Sequence, residues 1–433
     1  MRAWIFSFLF AAMAWSAAAP QQRASEPAPK IINVDYRIFP DLADMDGHWA
    51  ALLAASDGRV YIGLAHHGAD GHLVCYDSKD DRMQDLGAVT ALVGEQFLHR
   101  GPQAKIHTKF GEGRDGRIYF GSEYGRDFNF ARYATPEGYP GGHWMAYDPR
   151  AGRVSDLGIG LAPDGIIAGA YDPVFHRIYG ISDPRGHFIY YDVAKGVVGD
   201  LGRVNNWDSL CRSIAVDDQG NVYGSFGRGQ IYKYNPRTGT LRELSVRLPI
   251  REKGISLGRD YHKSETAWRV VVWDQQTRKF YGVEESASTL FSFDPNAGED
   301  GEIRTLGQLC IPGSERSRDV PYATLSLTLG RDRKLYYAAA GREFDYSGSA
   351  GLAASHLLTY DLATAKIEDH GEMRLSDGRR VIGTNSASTG PDGAVYFGGA
   401  IEVRPEAGKP VEAGGKIGNA YYRLALLIYH PHG

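Results

Sequence analysis

The sequence predicts an all-β protein, a seven-bladed β-propeller with four strands in each blade. Three observations carry this prediction: the composition, an internal repeat and an unmatched strand near the start. The chain has 433 residues, of which 54 are glycine and 26 are tyrosine, a composition typical of β-repeat proteins. Length alone would suggest two or three domains, but a repeat that continues to the end of the chain favours a single ring.

One unit recurs seven times and has the same internal order each time. It contains an apolar strand, a turn, a strand with a tyrosine, a loop, a strand that ends in Tyr-Asp or a close variant, and often a final Asp-Leu-Gly. The first copy reads HWAALLAASDGRVYIGL, GHLVCYD and RMQDLG. Asp-Gly and Gly-Asn turns supply the positive φ angles that tight hairpins need. The marker tyrosines are Tyr61, Tyr119, Tyr179, Tyr223, Tyr281, Tyr336 and Tyr396.

The seventh unit lacks a fourth strand, whereas an extra strand, residues 31–39 (IINVDYRIF), precedes the first unit. We predict that this strand completes the last blade and closes the ring. Closure removes the exposed sheet edge that a linear array would leave. The alternative, a linear solenoid, would need capping units, and the sequence shows no such unit.

The first 30 residues have the pattern of an exported protein. Residues 1–19 combine a basic start, an apolar stretch and an A-x-A site, which is typical of a signal peptide. We interpret residues 20–30 as a linker and residues 31–433 as the propeller domain. The protein is therefore expected to be secreted or periplasmic, without a membrane span. The net charge of −4 gives no indication of a nucleic-acid partner, and we expect a monomer.

The topology predicts where a site can form. We name the strands of each blade A to D, with A nearest the axis. Strands A and C run in the same direction, so their starts lie on one face of the disc, around the mouth of the central channel. Polar residues occupy several of these starts: His48, His107, Arg212 and Arg269 at strands A, and His143 and His187 at strands C.

Three further features lie close to these starts. The B-to-C loop of the second blade carries Tyr139, and aromatic rings in such a loop can stack on sugars. The same loop carries Arg126 and Arg132, and arginine can pair with a carboxylate in a bidentate fork. In the third blade, Arg185 is a further candidate for substrate binding. His66, His67 and His72 could bind a transition metal, but their spacing is not diagnostic, so the identity of any metal stays open.

Several segments carry a resemblance to a known group. The chain resembles the secreted propeller enzymes that act on rhamnose–glucuronic acid linkages, in DGHWAALLAASDGRVYIGL, KIHTKF, GGHWMAYDP and DPRGHFIYYD. That group contains rhamnosyl-glucuronate lyases and α-L-rhamnosidases, and is similar in plan to the propeller ulvan lyases.

The resemblance implies roles for individual residues. For a lyase it implies a histidine pair, His107 and His143, and a carboxylate-binding Arg212. Where such lyases have a tyrosine, this chain has His187, with Tyr190 just after it. For a rhamnosidase the resemblance implies His48 instead. It also implies, for some members, a structural calcium ion in the central channel.

The predicted chemistry is β-elimination at the 4-O bond of a uronic acid, with an acidic oligo- or polysaccharide such as L-rhamnosyl-α-1,4-D-glucuronate as substrate. Arginine neutralises the carboxylate, and histidine can act as base or acid near neutral pH. This reaction requires no cofactor. A conventional glycosidase needs two flanking carboxylates; Glu112 and Glu123 exist, but nothing in the sequence pairs them, and we interpret both as surface charge. An α-L-rhamnosidase and a non-catalytic glycan-binding propeller remain the alternatives.

Overall fold

A computed structural model describes residues 30–98, 100–125, 138–204, 211–227, 229–249, 267–285, 287–311, 323–340, 354–417 and 420–431. The proposed signal peptide, most of the proposed linker, Arg126 and Arg132 lie outside these residues. The described residues form seven sheets arranged in a ring, in which the four strands of each blade pair antiparallel, and this confirms the predicted seven-bladed propeller. Within the described residues, no helix is long and apolar enough to cross a membrane.

The first three blades follow two short N-terminal strands, β1 (Ile31–Asn33) and β2 (Asp35–Ile38). Blade one contains β3 (Gly47–Ala54), β4 (Arg59–Ala65), β5 (His72–Asp77) and β6 (Arg82–Ala88), and a single helical turn, α1 (Val89–Leu92), follows it. Blade two contains β7 (Lys105–Ile106), β8 (Gly111–Glu112), β9 (Ile118–Glu123), β10 (His143–Asp148) and β11 (Arg153–Ile159). Blade three contains β12 (Gly165–Asp172), β13 (Arg177–Asp183), β14 (His187–Asp192) and β15 (Val197–Arg203).

The remaining four blades repeat the same order. Blade four contains β16 (Ala215–Val216), β17 (Val222–Phe226), β18 (Gln230–Asn235) and β19 (Thr240–Arg247). Blade five contains β20 (Trp268–Asp274), β21 (Lys279–Glu284), β22 (Thr289–Asp294) and β23 (Glu302–Gln308). Blade six contains β24 (Leu327–Leu329), β25 (Lys334–Ala339), β26 (His356–Asp361) and β27 (Lys366–Arg374). Blade seven contains β28 (Val381–Thr389), β29 (Val395–Val403), β30 (Gly415–Ile417) and β31 (Ala420–Tyr429).

The N-terminal segment closes the ring, with one difference from the prediction of a single strand. Strand β2 is the outermost strand of blade seven and pairs antiparallel with β31. Strand β1 instead pairs parallel with β27 of blade six. Between them lies Val34, which is buried in the apolar layer between these two blades and donates its backbone N–H to Arg374 O at 2.9 Å. Because Val34 is buried between blades six and seven, strand β1 lies on blade six and strand β2 lies on blade seven. The N-terminal segment therefore joins these two blades.

The hydrophobic core consists of layers between neighbouring blades. One apolar cluster joins blades one and two around Phe120, and another joins blades seven and one around Phe39. Each aromatic side chain buried in such a layer contributes about 1.5–3 kcal/mol relative to an exposed one. Since no blade can bury both faces alone, this stacking holds the ring together.

The marker tyrosines have a second role besides packing. In four blades the tyrosine hydroxyl donates to the aspartate that precedes it by four residues in the A-to-B turn, and the pairs are Tyr61 with Asp57, Tyr119 with Asp115, Tyr336 with Asp332 and Tyr396 with Asp392. Burial raises the pKa of each of these tyrosines, so the hydroxyls stay protonated and remain donors. The Asp-to-Tyr spacing thus ties each turn to the strand that follows it.

Candidate functional site

The starts of strands A and the ends of strands B lie on one face of the disc, which we call the upper face. The strand register shows this directly, because Lys105 pairs with Glu123 in blade two, Gly165 with Asp183 in blade three and Trp268 with Glu284 in blade five. On this face, charged side chains of blades two to five approach one another near the channel. We call Lys105, His107, Glu123, Asp183, Arg212 and Arg269 the mouth cluster.

His107 owes its position to a break in the innermost strand of blade two. That strand stops after Ile106 and resumes at Gly111. Within the break, the hydroxyl of Thr108 accepts a hydrogen bond from the backbone N–H of Gly121 at 2.8 Å. The His107 ring stacks on Trp49 of blade one, with 5.4 Å between ring centroids. Its Nδ1 lies 2.7 Å from Ile167 O of blade three, so the imidazole is held by three blades.

The hydrogen bond to Ile167 defines the tautomer of His107. A carbonyl oxygen only accepts, so Nδ1 carries the hydrogen and Nε2 keeps its lone pair. Burial lowers the pKa of His107 well below its usual value, and the positive charges of Arg212, Lys105 and Arg269 lower it further. The side chain, 2% exposed, is therefore a neutral imidazole at pH 7, close to two guanidinium groups.

Arg212 and Arg269 come from neighbouring blades and are positioned by Trp268. The Trp268 indole donates to Ser213 O at 2.6 Å, and its backbone N–H donates to Ser225 Oγ at 2.9 Å. The first of these bonds connects the residue after Arg212 with the residue before Arg269, and the second connects Trp268 with strand B of blade four. Arg269 is buried, and its Nη1 lies 3.5 Å from Glu285 Oε1, whereas Arg212 is partly exposed. The predicted convergence of strand A starts therefore includes His107, Arg212 and Arg269.

Two carboxyl groups of the mouth cluster, Glu123 and Asp183, were not predicted from the sequence to be site residues. Glu123 ends strand B of blade two and is 2% exposed, so its interpretation as surface charge was wrong. It lies 3.6 Å from Lys105 Nζ and in hydrogen-bond contact with Asp183, which ends strand B of blade three. The Tyr124 hydroxyl donates to Asp183 at 2.5 Å. Both acids end strand B in consecutive blades, and this matching position in the sequence could have indicated that they lie close together.

Lys109 reaches across the central channel from the same break in blade two. Its Nζ donates to Val271 O of blade five at 2.9 Å. Burial lowers the pKa of Lys109 to about 8. The residue links opposite sides of the ring beneath the mouth cluster.

His143 and His187 belong to a different arrangement. In four blades a histidine at the start of strand C faces, through Nδ1, an aspartate 13 residues later on strand D at 2.9–3.1 Å; the pairs are His72 with Asp85, His143 with Asp156, His187 with Asp200 and His356 with Asp369. Because the same pair recurs in blades one, two, three and six, it links strands C and D within a blade. A contact of His143 or His187 with substrate stays a prediction.

His143 has additional partners. Its Nε2 lies 3.3 Å from Glu95 Oε1. Burial alone would lower the pKa of His143, but Asp156 and Glu95 outweigh that effect and raise it to about 9. His143 is therefore charged at pH 7.

We expect this charged histidine to make stability depend on pH. The pKa of His143 in the folded protein lies above its value of about 6.5 in the unfolded chain. The stabilisation is therefore fully present below about pH 6.5 and is lost as the pH rises through about 9. Denaturant unfolding of the wild type and of His143→Gln should show a wild-type advantage of about 1.5–3 kcal/mol at low pH. An advantage that stays constant up to about pH 10 would contradict this assignment.

The other predicted residues lie around the mouth cluster or away from it. Tyr139 donates to Gln103 Oε1 at 2.9 Å and packs edge-on against Tyr124. The Arg185 Nε donates to Asp164 Oδ1 at 2.7 Å in the B-to-C turn of blade three. Tyr190 packs between Tyr179 and the Arg177 guanidinium in the apolar layer toward blade four. Tyr139 is thus next to the cluster, whereas Arg185 and Tyr190 have local partners in blade three.

His48 lies at the junction of blades one and seven. It is 4% exposed, and its Nδ1 lies 3.1 Å from Trp49 O and 3.0 Å from Ser386 Oγ. Burial lowers its pKa to about 4. The imidazole packs directly on the backbone of Gly398, where an added Cβ would overlap the ring.

This close packing gives a stability prediction for the closing blade. Gly398→Ala should lower the free energy of unfolding by about 1–3 kcal/mol, because the new methyl group displaces the His48 ring. The double variant Gly398→Ala/His48→Ala should regain a large part of that loss, since the two changes are coupled through one contact. Thermal and urea unfolding measure both effects; additive losses would show that His48 is not the obstructing group.

The histidines considered for a metal ion lie close to carboxylate side chains in the structure. Among the described residues, no group of three or more His, Cys, Asp or Glu side chains could hold a metal ion. His67 Nδ1 instead lies 2.8 Å from Asp46 Oδ1, and His66 Nε2 lies 3.9 Å from Asp44 Oδ2. The calcium ion implied by the resemblance stays a prediction.

Solved structures share the architecture of this chain at low sequence identity. A streptogramin B lyase structure matches with a TM-score of 0.56 and 12% identity, over 91% of this chain and 96% of that one. An extracellular domain attributed to a one-component system of B. thetaiotaomicron matches with a TM-score of 0.54 and 13% identity, over 91% of this chain and 39% of that one. The WD40 repeats of RRP9 match with a TM-score of 0.52 and 10% identity, over 91% and 99%.

The sequence comparisons add no family. No family model matches the chain, and no curated protein matches it either. Enzymes and WD40 repeat proteins both occur among proteins of this architecture, so the fold alone does not define an activity. The solved structures establish that the chain is a β-propeller.

Proposed function

We propose that this protein is a lyase that cleaves the 4-O bond of a uronic acid by β-elimination, with L-rhamnosyl-α-1,4-D-glucuronate as the substrate suggested by the resemblance. One observation carries the proposal. The His107 Nδ1 donates to Ile167 O at 2.7 Å, which leaves a lone pair on Nε2, and the ring lies in the mouth cluster with Arg212 and Arg269. A base beside carboxylate-binding guanidinium groups is the combination that this elimination needs.

The roles follow from the charges. The C5 proton of a uronate is weakly acidic, because the neighbouring carboxylate opposes further negative charge. Arg212, with Arg269 behind it, would bind the carboxylate and stabilise the charge that develops as the proton leaves. His107 Nε2 would take that proton. The C–H electron pair then forms the C4=C5 double bond, and the C4–O bond breaks with its electrons moving to oxygen, which takes up a proton.

Two observations weigh against hydrolysis. Two-carboxylate glycosidases place the acid and its partner on opposite sides of the sugar bond, about 5–9.5 Å apart. Glu123 and Asp183 are instead in direct contact with each other. His48, the candidate for an α-L-rhamnosidase, packs against Gly398 and Ser386 of blade seven and is not a member of the mouth cluster.

Trp49 supports binding of a saccharide at the same place. Its indole is partly exposed at the start of strand A of blade one and stacks on His107. Aromatic faces of this kind bind the apolar faces of sugar rings. The expected substrate is therefore an acidic oligo- or polysaccharide, bound at the upper mouth of the channel.

Incubation with a rhamnose-capped glucuronate oligosaccharide tests the proposal. Elimination yields a product with new absorbance near the ultraviolet edge, and the summed product masses equal the substrate mass. A gain of one water without the chromophore would replace the proposal with hydrolysis. Binding without any cleavage would replace it with a glycan-binding role.

A further inference from the structure

The side chains of Glu123 and Asp183 are both buried and lie next to each other. A salt bridge explains the contact of an acid with a base, but not the contact of two acids. The two side chains come from different blades and meet over Gly165, the first residue of strand A in blade three. A Cβ at position 165 would lie 2.6 Å from Glu123 Cγ and 3.1 Å from its Cα. The absence of a side chain there allows Glu123 to extend toward Asp183.

Two carboxyl groups in hydrogen-bond contact must share a proton, because two adjacent buried negative charges repel strongly. The Tyr124 hydroxyl donates to Asp183, so Asp183 already accepts a hydrogen bond within this group. The proton is therefore held by Glu123, whose Oε2 is buried and accepts no hydrogen bond from a described residue. Burial and the charge of Asp183 raise the pKa of Glu123, while Lys105 and Arg212 act in the opposite direction.

We propose that Glu123 donates the proton to the departing 4-O oxygen, with Asp183 and Tyr124 as positioning groups. This inference rests on the proposed lyase function and adds the acid that the reaction requires. Glu123 gives up its proton as the C4–O bond breaks, and the resulting carboxylate is stabilised by Lys105 Nζ at 3.6 Å. His107 and Glu123 then hold the base and acid roles separately, and both regain their starting protonation from water after product release.

The test compares two substrates in Glu123→Gln. On the rhamnosyl substrate, whose leaving oxygen needs a proton, the rate should fall roughly 10²-fold. On a uronate with fluoride at C4, which leaves without protonation, the variant should keep a rate close to that of the wild type. Glu112→Gln is the matched control, because Glu112 lies in the same blade on the opposite face and accepts hydrogen bonds from Ser56; it should change neither rate.

The outcomes distinguish a failure of the acid role of Glu123 from a failure of the proposed lyase function. Equal losses on both substrates, or no loss on either, would overturn the role of Glu123 while leaving elimination intact. A wild-type protein that forms no unsaturated product from either substrate would overturn the proposed function itself, and the acid role with it.

The variant Asp183→Asn gives a second test, the pH dependence of kcat. This pH dependence would not change if Asp183 had only a structural role. Removing the negative charge lowers the pKa of Glu123, so the proton is lost at lower pH. The alkaline limb of the kcat profile should therefore move to lower pH. An unmoved limb in a folded variant would contradict the shared proton.

Discussion

Replacing His107 with glutamine should slow formation of the unsaturated product by roughly 10²–10⁴-fold, the range that a lost general base produces. Glutamine can still donate to Ile167 O, which His107 Nδ1 contacts at 2.7 Å, but it offers no basic nitrogen. Exchange of the C5 proton with deuterated solvent should be lost together with elimination, because both need the same proton abstraction.

His356→Gln is the matched control for this experiment. His356 contacts Asp369 within blade six, so the change removes an imidazole of the repeated pair and leaves the mouth cluster intact. It should alter stability more than rate. A His107→Gln protein that keeps its wild-type rate, or that keeps C5 exchange, would exclude His107 as the base.

Arg212→Gln should cost roughly 10²–10³-fold on a free uronate, comparable to the loss of one preorganised donor to a developing charge. On the methyl ester of the same substrate the loss should be much smaller, because the ester already lacks the charge that arginine neutralises. The ratio of the two rates isolates the electrostatic role of Arg212 from general damage to the site.

Arg212→Gln should also change the pH dependence. The positive charge of Arg212 helps to lower the pKa of His107, so its removal raises that pKa and moves the acidic limb of the rate profile to higher pH. Arg304→Gln is the control, since Arg304 is an exposed partner of Glu302 on the outer strand of blade five. Equal losses on acid and ester would contradict carboxylate binding by Arg212.

The residues at the starts of strands A show which part of the candidate site can be predicted from the sequence. A repeat of known strand order determines which residues begin strand A, and the ring brings those beginnings together. His107, Arg212 and Arg269 meet for that reason. His143 and His187 occupy equivalent strand C positions, but their aspartate partners lie 13 residues later. The same spacing of histidine and aspartate occurs in the sequence of four blades. This recurrence indicates that the pair links strands C and D within a blade.

The N-terminal segment illustrates the opposite case. Its role in closing the ring follows from the unmatched strand and the incomplete seventh unit. Its division between blades six and seven depends on the burial of Val34, and no local pattern in residues 31–39 distinguishes one strand from two.

By itself, the sequence determined the propeller, the number of blades and the face on which the starts of strands A lie, because these follow from local periodicity and from the need of each sheet to bury both faces. Only the tertiary structure decided which charges meet. The contact of Glu123 with Asp183 and the contact of His107 with Ile167 each join different blades. Such contacts depend on side-chain length, on the space left by Gly165 and on a break in one strand, which are properties of packing between units and not of any unit alone.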